Sequence, residues 1–270
     1  MKYGFLGTGK MTSAIIAGMN LSGYNSDDIF GFNKGDEKID KLVDDYGIGK
    51  CGSQGELIAS SDVLFLAVKP SVLDEIIDEV KSNLTNNDIL IVSIAVGKTL
   101  SYFENHLGKN CKVVRVMPNI NSTALASTSG YCFNNNVSSD NIKVIEDVFG
   151  SIGTIEHVNE DLFSIFSAIA GSSPAFTYMY IDALSAAAIK GGMPKAQALK
   201  IAASTVKGSA IALLSSDKHP CTLIDDVCSP NGTTIEGVSS LKKNCFEDII
   251  SEGIEAILKK DKAIKEGSAN

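Results

Sequence analysis

Lys2-Tyr3-Gly4-Phe5-Leu6-Gly7-Thr8-Gly9-Lys10-Met11-Thr12 decides how the rest of the chain is read. Lys2 to Leu6 is a short apolar-rich run expected to form a first β-strand, and the Gly7-Thr8-Gly9 turn follows it at once. Apolar positions at Met11, Ala14, Ile15 and Gly18 then recur at helical spacing. Strand, glycine turn and helix make the opening unit of a dinucleotide-binding fold. Gly7 permits the tight turn, Gly9 lets backbone approach a pyrophosphate, and the open N–H groups of the helix start receive its charge. The third glycine of a G-x-G-x-x-G pattern falls at Thr12, a position that needs only a small side chain.

Downstream, strands alternate with helices. Asp28 to Phe32, Ser61 to Val68, Ile89 to Ile94 and Cys111 to Met117 read as strands, the last three of the fully buried, parallel-sheet kind. Helices are expected over 36–46 and 71–84, the latter with Pro70 as its first residue. This pattern implies a doubly wound, right-handed parallel sheet. Small or polar residues close each strand: Gly7-Thr8-Gly9, Ala67-Val68-Lys69-Pro70, Ala95-Val96-Gly97 and Asn119. Ligands of open α/β sheets bind at that edge, so these loops are expected to line a cofactor and substrate cleft. Asn33-Lys34 ends the second strand where NAD-specific folds carry an acid. An amide and a cation suit a 2′-phosphate, although a polar turn before the next helix would read the same way.

Ser127 to Phe133 and Gly153 to His157 are expected to flank a helix over 138–149 and to close a first domain at residues 1–160. Residues 161–270 then read as helices alone. Ser172-Ser173-Pro174 has the form of a serine-capped helix start. The helix expected from Ala175 to Ile189 is apolar nearly all round, with Asp182 as its one charge, so a partner subunit is expected to cover it. Further helices are expected over 194–214, 235–242 and 246–265, the last ending in a short polar tail. His219 to Val227 between them has mixed polarity. Ser229-Pro230-Asn231-Gly232-Thr233-Thr234 crowds hydroxyls and open N–H groups at a helix start, which suits a single carboxylate or simply caps the helix.

Composition bounds the rest. A chain of 270 residues with 44% hydrophobic content, a net charge of −8 and a pI near 5.0 reads as a soluble cytoplasmic protein. Nucleic acid, which needs clustered cations, is not an expected partner, and neither is a membrane. The beginning of the chain has no signal-peptide pattern. Six scattered cysteines and three isolated histidines suggest free thiols in a reducing compartment and no metal site. Arg115, the one arginine, lies inside a strand, where a buried ion pair is expected of it.

Five stretches, Gly4 to Met11, Asp62 to Pro70, Arg115 to Asn119, Gly171 to Phe176 and Ser229 to Ile235, are similar in order to the successive motifs of the pyrroline-5-carboxylate reductase family. The resemblance spans essentially the whole chain, and its last motif is the specific one. It implies an N-terminal Rossmann domain, a helical substrate-binding and dimerisation domain, and reduction of 1-pyrroline-5-carboxylate to proline. NADP(H) would be preferred and NAD(H) possible, in a homodimer that assembles into a larger homo-oligomer. Carried over residue by residue, Gly7, Thr8, Gly9, Lys10, Met11, Gln54, Ala67, Val68, Lys69 and Pro70 would hold the cofactor, joined by Asn33, Lys34 and Ala95 from the strand-end reading. Asn119, Ser229, Asn231, Gly232, Thr233 and Thr234 would hold the substrate, with the Thr234 hydroxyl near the ring nitrogen in the catalytic role. The chain departs from the family at Gln54, Asn121, Ile224 and Asn231, where asparagine, proline, a basic residue and glycine are usual. The rivals are a related two-domain hydroxyacid dehydrogenase or imine reductase, and an NADP-binding sensor without turnover. Hydroxyacid dehydrogenases use a lysine within the long helix, and 175–189 has none.

Overall fold

The computed structural model describes residues 1–84 and 88–265; the polar tail after the last helix lies outside them. The chain divides into two compact units, Met1–Gly171 and Ser172–Asn270.

The first unit is an eight-stranded sheet in the order β3-β2-β1-β4-β5-β6-β7-β8. Its strands are β1 (Tyr3–Leu6), β2 (Ile29–Phe32), β3 (Gly49–Lys50), β4 (Val63–Leu66), β5 (Leu90–Ser93), β6 (Lys112–Met117), β7 (Ser127–Phe133) and β8 (Gly153–His157). Strands β1 to β6 are parallel. The expected all-parallel sheet stops there, because β7 pairs antiparallel with β6, and β8 then runs parallel to β7. The physical reason is the link: residues 118–126 form only a 3₁₀ turn, Ile120–Ala124, too short for the crossover that a parallel neighbour needs.

The strand period of two sends alternate residues to opposite faces, and each face has its own core. On one side Phe5 stacks on Phe65 at a centroid distance of 4.3 Å. There they meet Ile15 and Met19 of α1 (Lys10–Leu21), Ile39 and Leu42 of α2 (Asp36–Tyr46), and Ile145 and Val148 of α6 (Ser139–Gly150). On the other, Leu6, Leu64 and Leu66 pack with Leu57 of α3 (Gln54–Ala59), Leu73 and Ile77 of α4 (Pro70–Asn83), and Phe103 of α5 (Leu100–Leu107). Helices on both faces make the sheet doubly wound, with its loops gathered at the carboxyl edge of the parallel strands.

Residues 160–171 pack with the first unit although their pattern is helical. Arg115, whose side chain is 7% exposed, pairs with Glu160 and lies 4.6 Å over the ring of Phe163 in α7 (Phe163–Phe166). The same Glu160 carboxylate accepts from Leu100 N–H at 2.7 Å. The ion pair expected of Arg115 is thus present, and it ties β6 to the turn that leads out of the sheet.

The second unit consists of α8 (Ser173–Lys190), α9 (Lys195–Leu214), α10 (Pro220–Val227), α11 (Thr233–Lys243) and α12 (Phe246–Lys265). Ser172 does not cap α8: its φ and ψ of −100° and −33° are helical, and its side chain bonds no N–H. A π-helical turn, Ser167–Ser172, runs on from α7, so no free helix end remains to cap. His219 to Val227 also folds more regularly than its mixed polarity suggests. Pro220 is the first residue of α10, and the His219 ring nitrogen accepts from Cys221 N–H at 3.2 Å.

Candidate active site

The β1–α1 turn has the backbone that a pyrophosphate site needs. Gly7 has φ +99°, and a Cβ there would stand 2.7 Å from the carbonyl oxygen of Ala67, so only glycine fits. Gly9 is the N-cap of α1 and its Cβ position is open, leaving the approach clear. Ser13 N–H donates to Gly9 O at 3.0 Å as the first bond of the helix, so the N–H groups of residues 10–12 have no carbonyl of their own helix. Thr12 replaces the third glycine with a reason. It is fully buried, and its hydroxyl donates to Gly7 O at 2.7 Å, buttressing the turn from below.

Two cavities open from this turn. One, of about 390 Å³, is lined by Gly7, Asn33, Lys34, Gln54 and Val68. The other, of about 460 Å³, is lined by Thr8, Gly9 and Lys10 together with Lys38 and Lys41 of α2. Gln54 Nε2 and Thr8 Oγ1 are buried without a hydrogen-bond partner in the protein, one in the lining of each cavity. An unpaired buried donor costs about 1–3 kcal/mol, and a bound polar group would relieve it. Asn33 donates from Nδ2 to Gly35 O at 3.0 Å, shaping its turn, while Lys34 is exposed. The residues present fit a phosphorylated dinucleotide.

The other sequence-derived positions stand at the same sheet edge. Met11 is half-buried and its sulfur accepts from Ser122 Oγ at 3.3 Å. Ala67 and Val68 follow β4, and Lys69-Pro70 begins α4 with Lys69 as N-cap. Ala95 follows β5, buried, its N–H bonded to Ser93 Oγ at 3.2 Å. Asn119 is buried and bonded at both ends of its amide: Oδ1 accepts from Asn121 N–H at 3.1 Å and Nδ2 donates to Ala170 O at 2.8 Å. That amide ties the turn after β6 to the π-helical turn, and the second N–H of Nδ2 has no partner among the described residues.

In the second unit, Ser229 to Thr234 forms a tight turn into α11. Gly232 N–H donates to Ser229 O at 2.9 Å, and Gly232 is the N-cap, so no side chain caps the helix. Asn231 has φ +58°, the left-handed region. Asparagine suits this position, since it tolerates that region better than most side chains. The hydroxyls of Ser229, Thr233 and Thr234 have no partner among the described residues, and both threonines are exposed. Three free hydroxyls and an uncapped helix start make a neutral-donor cradle for one anion.

Sequence reasoning passed over a polar cluster near the β5 loop. Lys98 Nζ pairs with Asp74 of α4, and Tyr102 OH donates to the same carboxylate at 2.7 Å. The Lys98 bond, and after it the Tyr102 bond, hold the Asp74 carboxyl below the usual carboxylate range. Lys98 four residues before Tyr102 was visible in the sequence, but the partner lies on another helix. Beside Arg115, the Cys132 thiol is pushed up to about 12 by burial, which marks it as inert. Among the described residues, no group of three metal-ligating side chains comes together.

Comparison with known proteins agrees with this architecture. Residues 160–264 match the family model for pyrroline-5-carboxylate reductase dimerisation, and residues 2–97 match that of NADP oxidoreductase, coenzyme F420-dependent. The pyrroline-5-carboxylate reductase of Escherichia coli (strain K12) is 36% identical over 264 residues, spanning 97% of this chain and 98% of the relative. A pyrroline-5-carboxylate reductase from Coxiella burnetii has the same fold with a TM-score of 0.92 at 29% identity, over 97% of each chain. The pyrroline carboxylate reductase of Plasmodium falciparum, solved with NADP bound, gives a TM-score of 0.86 at 30% identity over 98% of each chain. With a likeness that runs through both units, the chain belongs to the pyrroline-5-carboxylate reductase family.

Proposed function

We propose that the chain reduces 1-pyrroline-5-carboxylate to proline by dividing the work between its two units. The β1–α1 turn and the residues around it hold NADP(H), while the start of α11 holds the substrate. The observation that carries the assignment is the uncapped helix start at Thr233, with three unpartnered hydroxyls beside it. N–H groups of that first turn receive the carboxylate of the cyclic imine, with Ser229 and Thr233 as further donors. Thr234 Oγ orients the ring nitrogen.

When bound, NADPH supplies a hydride to the imine carbon. The protein's own task is to fix orientation and keep one proton on the nitrogen, so that the carbon is electrophilic as the new C–H bond forms. A threonine hydroxyl is a weak acid; it accepts from the protonated nitrogen or relays a proton through water. An imine that arrives protonated needs no stronger acid, which agrees with the absence of histidine from every motif.

The experiment is Thr234→Ala beside Thr234→Ser. Loss of one hydrogen bond to a charged partner is worth about 1.5–3 kcal/mol, roughly ten- to a hundredfold in rate. The alanine variant is expected to lose turnover by that factor, and the serine variant to keep much of it, with NADPH affinity and melting temperature unchanged. Normal turnover with a lowered melting temperature would make Thr234 a structural residue.

The assembly and setting belong to the same proposal. Dimers of this chain are expected to associate into a larger homo-oligomer, supported by the apolar side chains its helical unit exposes, Tyr178, Met179, Leu199 and Ile211 among them. A cytoplasmic location is supported by six unpaired cysteines, and among the described residues no helix is long and apolar enough to cross a membrane.

A further inference from the structure

The loop after β5 is suspended between two anchors. On its strand side, Ile94 N–H donates to Leu66 O at 3.2 Å and Ala95 N–H to Ser93 Oγ at 3.2 Å. On its helix side, Lys98 reaches Asp74 of α4, and Thr99 Oγ1 caps α5 by accepting from Tyr102 N–H at 3.1 Å. Between them, Val96 is 59% exposed and Gly97 has φ +81°, with open space around it. The loop's own contacts therefore leave its central residues free to shift unless the second anchor holds.

That anchor is a three-sided clamp. Lys98 Nζ bonds Asp74 and also lies 4.4 Å over the ring of Tyr102. Tyr102 OH donates to Asp74 Oδ1 at 2.7 Å, and the His106 ring lies 4.3 Å from the Tyr102 ring on its own helix. The Lys98 side chain is 16% exposed and that of Asp74 is 50% exposed, so the clamp is partly screened by solvent and its effect is modest. Asp74 sits in the first turns of α4, the helix that Lys69 caps. One carboxylate thus links the loop after β4 to the loop after β5, the two loops that carry Ala67 to Pro70 and Ala95.

We propose that Asp74, Lys98 and Tyr102 are positioning residues for the cofactor: by tying the β5 loop to α4 they set the place of Ala95 and Val96 against bound NADP(H). This rests on the reading that the β5 loop lines the cofactor cleft. None of the three need touch the ligand. Their effect reaches it through the loop, so it falls on cofactor affinity and leaves imine affinity alone.

The test uses the full chain with NADPH as the probe, comparing the parent with Asp74→Ala, Tyr102→Phe and the double variant. NADPH dissociation constants come from fluorescence titration, alongside kcat, KM for each substrate and the melting temperature. Asp74→Ala is expected to weaken NADPH binding roughly three- to fivefold, with the KM for the imine unchanged. Tyr102→Phe keeps the ring under Lys98 and is expected to weaken binding less. The double variant should be no weaker than Asp74→Ala alone, because both changes act through one carboxylate. Val96→Glu, placed in the loop itself, separates the two possible failures. If it weakens NADPH binding while the clamp variants do not, the loop faces the cofactor but the clamp does not position it. If Val96→Glu also leaves binding unchanged, the reading of the loop fails and the proposal with it. Should Asp74→Ala not fold, Tyr102→Phe decides: unchanged NADPH affinity with a lowered melting temperature overturns the proposal.

Discussion

Lys34 stands exposed at the carboxyl end of β2, on the rim of the cavity that Gln54 and Val68 help to close. No carboxylate of the protein pairs with it among the described residues, so its charge is free for a ligand. Lysine offers a phosphate a point charge with three donors, and at an exposed site the contact is partly screened. NADPH is therefore expected to be used better than NADH. Lys34→Ala should lower the ratio of the two specificity constants about two- to fivefold. An unchanged ratio would show that Lys34 does not read the 2′-phosphate. At this scale the sequence was most legible where backbone geometry dictates residue type. Gly7 occupies positive φ as its place in the turn suggested, while Asn231, also at positive φ, stood out only as a departure from the family's glycine. Thr12 was readable only as a tolerated departure, because its bond to Gly7 O closes over five residues and needs the turn already folded. Asn119 was legible in part: its place after β6 suggested ligand contact, but its bond to Ala170 O, far along the chain, could not be read from the sequence.

Among the elements, α8 carries the largest consequence. Within a single chain only Pro174 and Ser185 of this helix are buried, while Tyr178, Met179, Tyr180, Leu184 and Ile189 stand exposed. A helix without a polar face is not stable against water, and a matched family model describes dimerisation over residues that include it. Replacing Ile181 and Leu184 together by aspartate is expected to give insoluble or unfolded protein, read by solubility and circular dichroism. A well-folded, soluble monomer in light scattering would show that the helix needs no partner. The strands were legible because apolar runs bounded by glycine, proline or asparagine have few other uses. The connections were not. Strand β3 has two residues and no pattern to display, and the direction of β7 depends on how little chain separates it from β6. The π-helical turn hides because Ser172-Ser173-Pro174 looks the same at a capped start as within a continuing helix. Helix α10 hides because eight residues of mixed polarity give too short a period to read.

For the molecule as a whole, an excess of eight negative charges must accommodate a cofactor that is itself strongly anionic. The first unit does so locally. Lys10, Lys34, Lys38 and Lys69 have no acidic partner among the described residues, and the first three line the two cavities beside the glycine turn. Lys41, Lys50 and Lys98, by contrast, are paired with carboxylates. On the proposed assignment, the free cations beside the glycine turn and the neutral donors at the start of α11 sort two ligands by charge, a polyanionic dinucleotide and a small monocarboxylate. The rivals differ from this assignment in substrate or in the lack of turnover, and one assay meets all of them. Purified protein is mixed with NADPH and 1-pyrroline-5-carboxylate, and NADPH absorbance and proline are followed together. The expected result is a fall in absorbance that depends on the imine and yields proline in equal amount. NADPH that binds but is not consumed, or is consumed without forming proline, would contradict the assignment.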